Sequence, residues 1–121
     1  MEKKDVSLSS LEKASLCLKA AEETKAICPK LLDMQGRSSL TDYVLVCSGS
    51  SDRQVKAIAE SISKELKGAG IYPLGVEGEN EGKWVLADYD DVVVHIFYEP
   101  LREFYDIESL WPFAKELDGK R

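Results

Sequence analysis

YVLVCSGSSDRQVKAIAESISKELKG, residues 43 to 68, reads as a strand followed at once by an amphipathic helix. The run YVLVCS, 43 to 48, is continuously apolar and bounded by polar turn residues, the pattern of a strand covered on both faces. From about 51 to 67, Val55, Ile58, Ala59, Ile62 and Leu66 recur at helical spacing. Asp52 suits the positive end of that helix, Lys64 and Lys67 its negative end, and Gly68 or Gly70 can terminate it. A further extended segment at 71 to 76 would complete a βαβ-like unit, so the two strands flanking the helix are predicted to pair in parallel.

Upstream, Ser9 and Glu12 have capping-box spacing, and Leu11, Ala14, Leu18 and Ala21 form an apolar stripe behind them. A first helix is expected there, with Pro29 marking its end, followed by a strand at KLLDM, 30 to 34, and a turn at Gln35-Gly36. Downstream, residues 84 to 89 and 92 to 98 read as an antiparallel hairpin turning at Asp90-Asp91. A short helical tail is expected to carry Leu110, Phe113, Ala114 and Leu117 on one side, with Pro112 restricting its start. The fold class is therefore α/β, a mixed β-sheet flanked by helices. No repeat or long linker divides the chain, which gives one domain over residues 1–121.

Composition narrows the function classes. A chain of 121 residues with 44% hydrophobic and 31% charged residues has the balance of a globular domain. Its formal charge of −6 opposes a broad phosphate-gripping surface, because such a surface needs clustered Lys and Arg. An acidic chain can still join a nucleoprotein assembly by docking on one of its basic proteins. No apolar run is long enough to span a membrane and the first residues lack a secretory pattern, so a cytosolic location is the expectation. Cys17, Cys28 and Cys47, odd in number and widely spaced, fit reduced thiols better than disulfides or a zinc site.

The densest chemistry lies in WVLADYDDVVVHIFY, 84 to 98. Alternation puts Val93, His95 and Phe97 on one face of a central strand and Val92, Val94, Ile96 and Tyr98 on the other, so His95 reads as a structural or interface residue rather than a general base. Asp88, Asp90 and Asp91, with Gly49-Ser50-Ser51 ahead of a helix, offer the alternative of a metal-dependent nucleotidyltransferase. Turn and cap chemistry explains the same residues more simply. No nucleophile constellation stands out, and Arg53 and Lys56 make at most a minor basic patch for RNA. Trp84 shares a strand face with Leu86 and Asp88, the makeup of an interface anchor. Residue pattern alone favours a binding module over an enzyme, with no metal and no cofactor.

LTDYVLVCSGSSDRQVKAIAE (40 to 60), Pro73, Glu77-Gly78, WVLADYDDVVVHIF (84 to 97) and REFYDIESLW (102 to 111), in that order over about residues 8 to 115, resemble the ribosomal silencing factor family, RsfS or Iojap-like. The resemblance implies a nucleotidyltransferase-like α/β fold without established transferase activity, usually as a homodimer. It implies binding to the large ribosomal subunit through its ribosomal protein fourteen, which blocks joining of the small subunit and represses translation when nutrients are scarce. Carried over by position, the partner-binding residues would be Trp84, Val85, Leu86, Asp88, Tyr89, Asp91 and His95, with Arg102 and Tyr105 completing the surface. Asp90 stands where the family usually has glycine, and aspartate tolerates the left-handed geometry such a turn needs.

Overall fold

The computed structural model describes residues 8–36 and 40–117. Helix α1, Ser10–Glu23, starts as its capping box requires: the Ser9 hydroxyl accepts from the Glu12 amide at 3.1 Å and the Glu12 carboxylate accepts from the Ser9 amide at 2.8 Å. Its buried face is Ala14, Cys17, Leu18, Ala20 and Ala21, whereas Leu11 stays 46% exposed on the first turn. The helix stops well before Pro29. The Thr24 hydroxyl donates to the Ala20 carbonyl at 2.8 Å, and Lys25 then takes a φ of 62°, which the helix cannot continue.

Pro29 instead lies inside β1, Ile27–Asp33, at a register break between Ile27 and Lys30. A bulge is where a strand can accommodate a residue without an N–H. Strand β2, Tyr43–Gly49, is buried along its whole length, as its unbroken apolar run predicts. Helix α2, Asp52–Gly68, follows with Val55, Ile58, Ile62 and Leu66 buried; the Ser51 hydroxyl caps it by accepting from the Gln54 amide at 3.1 Å. Gly49 is needed where strand meets helix, since a Cβ there would sit 2.9 Å from the Val55 nitrogen.

The predicted partner of β2 is corrected by the topology. Strand β3, Gly75–Glu77, does not pair with β2 but lies at the sheet edge, antiparallel to β4, Trp84–Asp88. The parallel neighbour of β2 is β5, Val92–Tyr98, in register from Tyr43 opposite Val92 to Gly49 opposite Tyr98. The reason is burial. A place beside β2 has sheet on both sides and layers above and below, which the apolar run of β5 can fill and the mostly exposed residues of β3 cannot.

The six strands run in the order β3-β4-β5-β2-β1-β6, with one parallel pair, β2–β5, among antiparallel ones. Helices α1 and α2 pack on one face over Leu31, Leu45, Cys47, Val85, Val94 and Ile96. The opposite face carries a smaller cluster of Leu32, Met34, Val44, Val46, Phe97 and Ile107.

The expected tail helix does not form. Chain entering from β5 makes α3, Glu99–Tyr105, with Pro100 in its first turn; Asp106 ends it in the left-handed region at φ 47°. A 3₁₀ turn, Ile107–Leu110, and β6, Lys115–Leu117, antiparallel to β1, complete the described chain. Leu110 and Phe113 are exposed, at 65% and 48%, so of the apolar spacing of the tail only Ala114 and Leu117 are buried, each in part, Leu117 opposite Leu31. Among the described residues no helix is long and apolar enough to cross a membrane.

Candidate protein-docking face

Strands β4 and β5 pair with Trp84 opposite Phe97, Leu86 opposite His95 and Asp88 opposite Val93, so all six side chains lie on the face away from α1 and α2. Helix α3 and the 3₁₀ turn cover only the Phe97 end of it. Trp84, Leu86, Asp88 and Val93 remain half-buried.

Trp84 is held from three sides. Its ring lies 4.8 Å from Phe97 and 5.0 Å from Tyr105, centroid to centroid, and its indole N–H donates to Nδ1 of His95 at 3.1 Å. Trp111 approaches the other side of His95, 5.9 Å between centroids. The indole can only donate, so Nδ1 of His95 carries a lone pair and the neutral ring has its proton on Nε2. Burial lowers the His95 pKa from 6.5 to about 4, which favours the neutral ring.

The turn after β4 uses the acids of the sequence. Asp90 takes a φ of 76°, and its amide donates to the Asp88 carboxylate at 2.8 Å. The Asp91 carboxylate pairs with Lys13 of α1 at 2.5 Å, and its carbonyl accepts from the amides of Asp42 and Tyr43. Asp91 thus ties the hairpin to α1 and to the start of β2. At the other proposed catalytic element, the Ser50 amide and hydroxyl both donate to the Gln54 side-chain oxygen, at 2.6 and 2.8 Å. Among the described residues no group of three or more His, Cys, Asp or Glu is arranged to hold a metal ion.

The residues expected to bind a partner separate by face. Trp84, Leu86, Asp88, His95 and Tyr105 come together, Tyr105 with 47% of its surface exposed. Val85 and Tyr89 point the other way into the main core, at 0% and 2% exposure, where burial pushes the Tyr89 phenol up to about 12. Arg102 also turns away. Its guanidinium donates to the Ile27 and Cys28 carbonyls, the Ser48 hydroxyl and Glu108, locking α3 onto the β1 bulge. Burial would raise the Glu108 carboxyl, but the hydrogen bond and charge of Arg102, with Lys30 beside it, hold it below its usual range.

Two members of the cluster, Phe97 and Trp111, were not among the expected binding residues. Strand alternation already placed Phe97 beside His95. Trp111 closes the sequence block REFYDIESLW, 102 to 111, but was not carried over to the binding surface.

Residues 7–121 match the family described as ribosomal silencing factor during starvation. The chain is similar to the ribosomal silencing factor RsfS of Halalkalibacterium halodurans, 39% identical over 114 residues that cover 93% of this chain and 97% of that one. A crystal structure of a Chromobacterium violaceum protein superposes with a TM-score of 0.83 at 41% identity, covering 86% of this chain and 87% of that one. More distantly, 93 residues are 28% identical to mouse mitochondrial assembly of ribosomal large subunit protein 1, covering 74% of this chain and 40% of that protein. The mixed α/β architecture and the match along nearly the whole sequence agree: the chain belongs to the ribosomal silencing factor family.

Proposed function

We propose that this chain is a non-enzymatic translation repressor that docks on the large ribosomal subunit through ribosomal protein fourteen and sterically blocks the small subunit. The observation that carries the reading is Trp84, a half-exposed aromatic anchor held by His95, Phe97 and Tyr105 beside Leu86 and Asp88. A rigid aromatic loses little conformational freedom on binding, and such anchors dominate the energy of protein interfaces.

The acidic balance of the chain, −6 overall, suits a basic ribosomal protein better than RNA. Asp88 on the face supplies a local counterpart, while His95 acts by fixing Trp84. Val85, Tyr89, Asp91 and Arg102 contribute from behind, by setting the plane of the hairpin and the position of α3. Family membership and the large-subunit assembly named for the mouse relative support the same partner. Repression when nutrients are scarce, a cytoplasmic location and a homodimer belong to this reading. No catalytic step is needed, and two of the three candidate metal-binding carboxylates are engaged, Asp88 by the Asp90 amide in the turn and Asp91 by Lys13.

The test is co-sedimentation of purified protein with isolated large subunits, followed by subunit joining monitored by light scattering. We expect binding to large subunits and slowed joining. Absence of both, with the protein folded, would remove the reading; turnover of a nucleoside triphosphate with Mg²⁺ would replace it with the transferase alternative.

A further inference from the structure

Among the described residues Phe104 is the most exposed aromatic, at 77%. A lone exposed apolar side chain needs no explanation, but this one is not alone. Its ring meets Tyr105 edge-on, 5.2 Å between centroids, and Tyr105 in turn lies 5.0 Å from Trp84. Helical geometry sets its direction. Phe104 follows Arg102 by two positions, roughly 200° around the axis, so the two side chains leave α3 on opposite sides. Arg102 reaches toward β1 and β2, to the Ile27 and Cys28 carbonyls and the Ser48 hydroxyl. Strand β4 lies on the other flank of β5, so Phe104 is turned toward the side of the sheet that carries Trp84.

We infer that Phe104 is a second anchor of the docking face, entering an apolar pocket on a basic protein, with Glu99, Glu103 and Asp106 pairing to Lys or Arg around it. Those three carboxylates are exposed, and none pairs with a base among the described residues, since Arg102 and Lys30 are both engaged by Glu108. The surroundings of the ring are therefore negative. They repel a phosphate backbone, and a second copy docked on the same face would set like charges against each other. A cationic protein surface complements them, and an apolar centre within a charged rim is the makeup of protein interfaces. Helix α3, which has no fully buried residue, is then an arm of the interface as well as a cover over Phe97. This inference rests on the proposed docking role: the partner is the same basic protein, gripped at Trp84 and again at Phe104.

The experiment uses the full chain with isolated large subunits and two photo-crosslinking variants, Phe104→p-benzoylphenylalanine and, separately, Leu86→p-benzoylphenylalanine. Both should capture the same basic protein. No capture from position 104, or capture there of ribosomal RNA, of a second copy, or of a protein different from that caught at position 86, overturns the second anchor. In co-sedimentation Phe104→Ala should bind about tenfold or more weakly, with its urea midpoint unchanged. Glu103→Lys should weaken binding at low salt, and the difference from the parent should shrink as salt is raised. A loss in Phe104→Ala that vanishes when binding is scored on the folded fraction makes the ring a packing residue and overturns the inference. If the parent chain does not bind large subunits, the docking role falls and the second anchor with it. If the parent binds and Phe104→Ala binds equally well, only the second anchor falls.

Discussion

Trp84 donates its indole N–H to Nδ1 of His95 at 3.1 Å, diagonally across the β4–β5 pair, since in register Trp84 faces Phe97 and His95 faces Leu86. One contact therefore fixes the tautomer of the histidine and the orientation of the exposed aromatic. Protonating Nδ1 would break it.

Burial of that histidine gives stability a pH dependence. The folded His95 pKa of about 4 lies below its ordinary value of 6.5, so the unfolded chain takes up this proton first as pH falls. The contribution is complete above about pH 6.5 and is lost progressively toward about pH 4, amounting to about 2 kcal/mol by about pH 5. Urea unfolding at about pH 7 and about pH 5 should show the loss in the parent and much less of it in His95→Gln. An equal loss in both would place the titration elsewhere.

Trp84→Ala is expected to weaken large-subunit binding by about 2 kcal/mol or more while the domain still unfolds cooperatively. Trp84→Phe keeps a ring against Phe97 and Tyr105 but strands the buried Nδ1 lone pair, and should cost about 1–2 kcal/mol of stability with a smaller loss of binding. Thermal melts alongside co-sedimentation separate the two effects. A variant that loses only stability would make Trp84 a packing residue.

Gly78 sits under the same tryptophan at φ 85°, and a Cβ there would come within 2.0 Å of the Trp84 carbonyl oxygen. Gly78→Ala should destabilise by more than about 3 kcal/mol, because the left-handed backbone and a backbone clash add. Gly70 has a similar φ of 80° with nothing within 4 Å, so Gly70→Ala should cost only about 1–2 kcal/mol. Equal midpoints for the two variants in denaturant would contradict the packing of the Gly78 turn on β4.

Arg102→Lys should lower stability by about 2 kcal/mol, since an ammonium cannot serve the Ile27 and Cys28 carbonyls, Ser48 and Glu108 together. Denaturant midpoints measure it. Binding to large subunits, scored on the fraction still folded, should change little if Arg102 acts only by seating α3.

The thiols differ by burial. Burial pushes Cys17 and Cys47 up to about 12, whereas Cys28 is exposed on the β1 bulge. Native protein should release one equivalent of a chromogenic disulfide reagent quickly and the remaining two only in denaturant. Rapid reaction of all three would show that the α1–β2 core opens readily.

Elements defined by local pattern were legible in advance. The capping box at Ser9, the unbroken apolar run of β2, the stripe of α2 and the alternation that puts Trp84, Leu86 and Asp88 on one face all depend on neighbours a few residues away. The left-handed turn at Asp90 was readable for the same reason. The family likeness was likewise carried by the order of sequence blocks.

What the sequence determined by itself was the set of elements and the faces they offer, because helical and strand periodicities are properties of the local backbone. Tertiary structure alone decided that β5 rather than β3 lies beside β2, that the tail past Pro112 becomes an edge strand, and that Arg102 points toward the β1 bulge instead of Trp84. It also decided which tautomer His95 holds and that Trp111 stands beside it. Those outcomes depend on which long-range partner buries the most apolar surface and satisfies the most buried polar groups, a competition between residues far apart in the chain that no local spacing records.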